Sequence, residues 1–168
     1  MNNLVLNNII RFIGLLLFQV LVLNHVNLFG FINPFVYIIW VFLFPFKKNK
    51  FALLILSFLL GLSIDFFSDS GGIHAFSTLF IAYTRLFFVK LYFRKIPSDY
   101  PFFKLNSESI GKVFNFVVTL TVIHHLIYFS FASFSFQNIS IVLLNTLYSS
   151  IFTLILFFLG TSIFKKSK

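Results

Sequence analysis

Residues 60–77 read "LGLSIDFFSDSGGIHAFS", two aspartates, paired glycines and a histidine set in an apolar background. What Asp65 does there depends on the solvent around it, and composition supplies that solvent. The chain has 168 residues, of which 59% are hydrophobic and 10% charged, and its mean hydropathy is +0.98. Soluble domains are about 45–50% apolar and about 25% charged. A chain with so few polar groups cannot cover a soluble domain. It reads as an all-α integral membrane protein, with Asp65 inside the bilayer.

Outward from that stretch, the apolar runs can be measured against a hydrocarbon core of roughly 30 Å, which takes about 20 helical residues. Runs of suitable length occupy 4–23, 28–46, 51–67, 72–93, 113–131 and 139–164. They predict a bundle of about six transmembrane helices. A β-barrel would instead show alternating segments of about ten residues. Pro34 complicates the second run. Counted from that proline, the run covers only about 20 Å by helical rise. Either it begins near Leu28 with Pro34 as a kink, or it is a partial, re-entrant segment. The first alanine is Ala52, so the first run lacks the small-residue cleavage site of a signal peptide and is expected to stay as a helix. No internal repeat or linker divides the chain, which reads as one transmembrane domain, 1–168.

Orientation follows from positive charge in short loops. Lys47, Lys48 and Lys50 lie after the second run, Arg94, Lys95, Lys104 and Lys112 after the fourth, and Lys165, Lys166 and Lys168 after the sixth. In a six-span arrangement all of these fall on one side, which places both termini in the cytoplasm. The formal net charge of +9 is therefore mostly a topology signal. Its dispersal over three loops does not form the single basic stripe of a nucleic-acid binder.

Three cations lie within spans. Arg11 and Lys90 can reach headgroups by snorkelling. Arg85 lies roughly 13 Å from Arg94 by helical rise, and is expected to face protein. At about 100° per residue, His74, Thr78, Ala82 and Arg85 fall within about 80° of arc. Ser57, Gly61 and Asp65 repeat at intervals of four on the third span, and Asn145, Ser149 and Thr153 on the sixth. Small residues so spaced let helices approach closely in a membrane. The simplest arrangement packs these three faces together in the interior.

Two partners are open to Asp65. One is Arg85, about 8 Å away in depth by the same rise. The other is the start of the following helix, whose free N–H groups and positive dipole end favour a carboxylate. Gly71 and Gly72 permit the tight reversal, and Asp69 or Ser70 could serve as N-cap. The preferred reading is that Asp65 braces a helical hairpin from inside, with partner binding or proton movement as secondary roles.

The stretch "GLSIDFFSDSGGIHAF" carries a family resemblance: a glycine-leucine pair, an aspartate, a small polar turn with glycine, then a helix. Gln19 supports it, as does "LNHVNLFGFINPFVYIIWVFLFP" from Leu23 to Pro45, with Gly30, Pro34, Tyr37 and Pro45 in order. In these features the chain resembles MreD, the rod shape-determining membrane protein family of bacteria. Beyond about Lys95 the likeness is one of hydropathy. Where the family often has a single glycine after a bulkier turn residue, this chain has Gly71-Gly72.

The resemblance implies a non-enzymatic scaffold of the cell-elongation complex in the cytoplasmic membrane. Its direct partner would be MreC, and the complex would link the actin-like MreB to RodA and a class B penicillin-binding protein during side-wall peptidoglycan synthesis. It also implies a fold similar to the substrate-binding subunits of energy-coupling-factor vitamin transporters. Such a subunit is the rival reading, with His74, Thr78 and Arg85 lining a small-molecule pocket. Asp65, Gly71, Gly72, His74, Arg85, Gln19, Gly61 and Pro34 are the candidate structural or partner-binding residues.

Catalytic, cofactor and metal sites are not expected. Cysteine is absent, which removes thiol chemistry, disulfides and thiolate metal sites. His124 and His125 are adjacent, hence about 100° apart, unlike the i, i+4 pair of H-E-x-x-H. They read as interhelical hydrogen-bonding groups. No G-x-S-x-G nucleophile motif occurs. Two loops are candidate contact surfaces. Residues 94–112 carry Pro97, Pro101 and the interfacial aromatics Tyr100, Phe102 and Phe103. The Phe/Ser alternation from Ser133 to Phe136 reads first as a short interfacial loop, and its two-residue period also suits a strand that could join a partner's sheet.

Overall fold

The structure, a computed structural model, describes residues 2–26, 30, 32–45, 50–94, 108–133 and 139–163. Regular structure among them is helical. Five long helices form: α1 (Asn2–Leu21), α3 (Phe51–Ser68), α4 (Ile73–Phe93), α5 (Ile110–Ser133) and α6 (Ile139–Ile163). Each belongs to a segment long and apolar enough to cross a membrane. α1 is followed by a 3₁₀ turn, Leu23–His25. Between α1 and α3 lies a 3₁₀ turn, Val36–Ile38, running into the five-residue α2, Ile39–Leu43.

Of the two readings of the second run, the described residues form the partial helix rather than a helix that begins near Leu28 and kinks at Pro34. Asn33, Pro34 and Phe35 precede the first 3₁₀ residue, since proline removes an N–H and disfavours helix in the residue before it. Contacts still carry this segment through the bundle. Asn33 N meets Ser149 Oγ, Tyr37 meets His74 and His124, Phe42 packs on Phe116 and Phe157, and Arg85 holds the carbonyls of Phe42 and Phe44. Its buried aromatic and branched side chains, including Tyr37, Trp40 and Phe42, form the centre of the core.

Contacts also fix the directions of the elements. Gln19 binds Pro34 and Val36 while Asn8 binds Trp40, so α1 and the threaded segment run antiparallel. Phe76 against Phe131 and Phe93 against Phe116 make α4 and α5 antiparallel. His125 with Thr153 and Phe114 with Phe158 do the same for α5 and α6. The described elements alternate in direction, five long helices and one threaded segment.

The bundle exposes many large apolar side chains and buries polar ones beside its apolar core. Ile10, Phe66, Tyr83, Phe87, Phe114 and Leu159 are among its many exposed large side chains. Ser57, Thr78, Arg85, His124, His125 and Ser149 are buried. Lipid as the outer solvent inverts the usual preference in this way, and interior hydroxyls and imidazoles then join helices by hydrogen bonds.

Other boundaries differ modestly from those read in sequence. α5 begins at Ile110, so Lys112 lies in the helix, and it continues through Ser133, so that residue is helical rather than part of a strand. The remainder of the Phe/Ser alternation, Phe134 to Phe136, lies outside the described residues, as do Pro97, Tyr100, Pro101, Phe102 and Phe103.

Candidate functional site

The hairpin of α3 and α4 is built around Asp65. Its carboxylate accepts hydrogen bonds from Ser70 Oγ at 2.5 Å, His74 N at 2.9 Å and Ala75 N at 2.7 Å. α4 begins after Gly72, which has φ +93° and supplies no side-chain cap. The free N–H groups of the first turn need an acceptor, and a carboxylate from the preceding helix provides it at the positive dipole end. Neither Asp69 nor Ser70 is the N-cap. Asp69 instead ends α3 in the left-handed region at φ +50°.

Gly61 sets the distance between the two helices. A Cβ added there would lie 2.5 Å from Ala75 Cα and 2.6 Å from His74 O. Only glycine allows the carboxylate, one turn further along α3, to reach the backbone of α4. Gly71, at φ +65°, joins Gly72 in the reversal. Both candidate glycines therefore have conformational roles.

Arg85 does not pair with Asp65. Its Nη2 donates to Phe42 O at 3.0 Å and Phe44 O at 2.5 Å. These carbonyls lie at the C-terminal end of α2, where main-chain acceptors lack intrahelical donors and a cation is favoured. The other end of the threaded segment is held by Gln19. Its Nε2 donates to Pro34 O at 3.1 Å and to Asn24 Oδ1 at 3.0 Å, and its Oε1 accepts Val36 N at 2.9 Å. Ser149 and Thr153 accept Asn33 N and Phe35 N at 3.0 and 3.1 Å.

Between these anchors the Tyr37 hydroxyl meets His74 Nδ1 and His124 Nε2, each at 2.9 Å, with Thr78 Oγ1 at 3.2 Å. The phenol has one proton to give. With both imidazoles neutral, one ring takes that proton and the other gives its N–H to the phenol oxygen. His125 Nδ1 donates to Thr121 O at 2.8 Å, and its Nε2 lies 3.1 Å from Thr153 Oγ1, whose hydroxyl donates to Ser149 O at 2.8 Å. Phe35 fills the space among these rings, 5.0 Å from His74 and His125 and 4.5 Å from Tyr128 between centroids.

The stripe of His74, Thr78, Ala82 and Arg85 is buried as expected, α3 sets Gly61 and Asp65 against α4, and Ser57 is buried. The third stripe is corrected. Ser149 and Thr153 meet the threaded segment rather than α3 or α4, and Asn145 is only half-buried. Pro34 is buried, and its carbonyl rather than a kink is what the fold uses. Tyr37 is the junction that reading by helical stripes missed. It lies where helical periodicity does not apply, and a tyrosine three residues after a proline gives no further signal.

Among the described residues no group of three or more His, Cys, Asp or Glu could hold a metal ion. A groove of about 300 Å³ on the outer face of α3 and α4 is lined by Leu54, Phe76, Leu79, Phe80 and Tyr83, and none of the polar candidates lines it. Comparison of the chain with protein-family models, curated proteins and solved structures found no match.

Proposed function

We propose that the chain is a non-enzymatic, multi-pass scaffold of the bacterial cytoplasmic membrane, acting in the cell-elongation complex as the resemblance to MreD implies. In this reading MreC is its direct partner. MreB, RodA and the class B penicillin-binding protein belong to the same assembly, which couples the cytoskeleton to side-wall peptidoglycan synthesis and cell shape. The end of the bundle bearing Lys50 and Arg94 faces the cytoplasm, by the positive-inside rule, and both termini lie on that side.

One observation carries the preference for a scaffold over a vitamin-transporter subunit. The polar stripe that could have lined a substrate pocket is occupied by the chain's own residues 33–45, with Tyr37 between His74 and His124 and two main-chain carbonyls on Arg85. A binding site needs polar groups converging on open space, whereas these converge on backbone and on each other. An interior filled by the chain's own threaded segment leaves the outer faces and loops to make contacts, as a scaffold requires.

The test is purification of a tagged copy at native expression after gentle solubilisation, with co-purifying proteins identified by mass spectrometry. Recovery of MreC with wall-synthesis proteins is the expected result. Recovery of a transporter's ATPase pair and coupling subunit, without wall proteins, would overturn the assignment.

A further inference from the structure

The groove on the lipid-facing side of the α3–α4 hairpin is lined by Leu54, Phe76, Leu79, Phe80 and Tyr83. Its place along the hairpin follows from the register at Gly61, where an added Cβ would meet Ala75. Counted outward from that pair, Leu54 is level with Ala82 and Lys50 with Leu86. The groove therefore runs from the level of Phe76 to that of Tyr83, about 10 Å along α4.

Beyond Tyr83 the same side of the hairpin becomes basic. At about 100° per residue, Lys90 falls about 20° from Tyr83 and Phe87 about 40° from it, and Lys50 falls about 40° from Leu54. Lys50, Phe87 and Lys90 are exposed, as is Arg94 one turn beyond Lys90. Lys50 and Lys90 differ by about one turn in depth, which two long, flexible side chains can span. The hairpin's carboxylates, Asp65 and Asp69, lie at its opposite end, so α3 and α4 give these three cations no counter-charge.

The spacing matches one leaflet. From headgroup to midplane a leaflet measures about 20 Å, half of the 40–45 Å of a bilayer. Tyr83 and Phe76 lie about 10 Å and about 21 Å from Lys90 by helical rise. A lipid with its phosphate beside Lys90 therefore carries its chains past Phe87 and ends them in the groove. Snorkelling alone would need only headgroups within reach of the ammonium groups. A concave apolar track directly below the cations adds a shape that an acyl chain fills.

We propose that this side of the hairpin is a binding site for one anionic phospholipid of the leaflet at the Lys50–Arg94 end. Lys50, Lys90 and Arg94 hold its phosphate, and an acyl chain lies along Phe87 into the groove. Charge decides the class, because clustered cations favour a headgroup of net negative charge over a zwitterionic one. The inference goes beyond the elongation-complex reading and does not depend on it.

The test is native mass spectrometry of the full chain in detergent, titrated with dipalmitoyl phosphatidylglycerol or dipalmitoyl phosphatidylcholine and read as the Kd of the first bound lipid. The anionic lipid should bind about tenfold more tightly, a difference of about 1.4 kcal/mol. Lys50→Gln, Lys90→Gln and Arg94→Gln together should abolish that preference, whereas Lys112→Gln on α5 should leave it intact. Leu79→Trp, which fills the groove, should weaken dipalmitoyl phosphatidylglycerol several-fold. It should leave the dioctanoyl lipid, whose chains end short of the groove, unchanged. All five side chains are exposed or half-buried, so the fold is retained, and circular dichroism checks this.

Equal affinity of the two headgroups for the wild-type chain would overturn the proposal. So would a preference that survives the triple substitution, or one that Lys112→Gln lowers as much, which would make it a property of overall charge. An effect of Leu79→Trp on both chain lengths alike, or on neither, would remove the groove from the site and overturn it equally.

Discussion

Replacing Asp65 separates its two readings, hairpin brace and ion-pair partner. Asp65→Ala removes the acceptor of three hydrogen bonds of 2.5–2.9 Å and leaves the N–H groups of His74 and Ala75 buried without it. Bonds to charged groups are worth about 1.5–3 kcal/mol each in soluble proteins, but interhelical bonds in membranes average about 0.6 and reach about 1.7 kcal/mol. Three bonds to one carboxylate then give an expected loss of about 2–4 kcal/mol. Asp65→Asn keeps one acceptor oxygen and turns its amide toward a main-chain donor, so it should cost about 1–3 kcal/mol. The assay is equilibrium unfolding in bicelles, followed by the single tryptophan, Trp40. A double-mutant cycle with Arg85→Met completes it. The two side chains bind different backbone groups, so their effects should add to within about 0.5 kcal/mol. Coupling well above that would restore the ion pair and refute the brace, as would an Asp65→Ala variant as stable as wild type.

Three further outcomes are expected. Gly61→Ala places a methyl 2.5 Å from the Ala75 backbone, and should cost about 1–3 kcal/mol by overpacking in the same unfolding assay. Tyr37→Phe removes the hydroxyl shared by His74, His124 and Thr78. It leaves buried imidazole nitrogens unpartnered at about 1–3 kcal/mol, visible as a lowered melting temperature, whereas Tyr128→Phe should have a smaller effect. Because the chain has no cysteine, topology can be read by single substitutions. Cysteine at His25 should react with a membrane-impermeant maleimide from outside the cell and cysteine at Ser109 only after permeabilisation, and the reverse pattern would invert the proposed orientation.

The α3–α4 hairpin was legible because its determinants are local. Gly61 and Asp65 are one turn apart, the paired glycines mark the reversal, and His74 to Arg85 share one face at helical period. Five long spans were legible from length and hydropathy alone. The threaded crossing was not, because an apolar run buried on all sides looks the same whether helical or irregular. Its anchors come from far along the chain: Gln19, Arg85, Ser149 and Thr153 satisfy a segment that ends at Pro45. No spacing rule links a serine on α6 to an amide 116 residues earlier. Helical spacing therefore assigns the third stripe the wrong neighbours and does not mark Tyr37 as a junction.

Polar groups within a membrane are functional suspects by default, and this interior gives a reason to qualify that rule. Irregular backbone at membrane depth persists only where protein or water satisfies it. Here Gln19, Ser149 and Thr153 serve the entry of the broken crossing, and Arg85 serves its exit. These residues look like a transport pathway when projected on helical wheels, yet their acceptors and donors are mainly main-chain atoms of one segment. Losing Arg85 or Gln19 would accordingly loosen the fold before it altered any ligand.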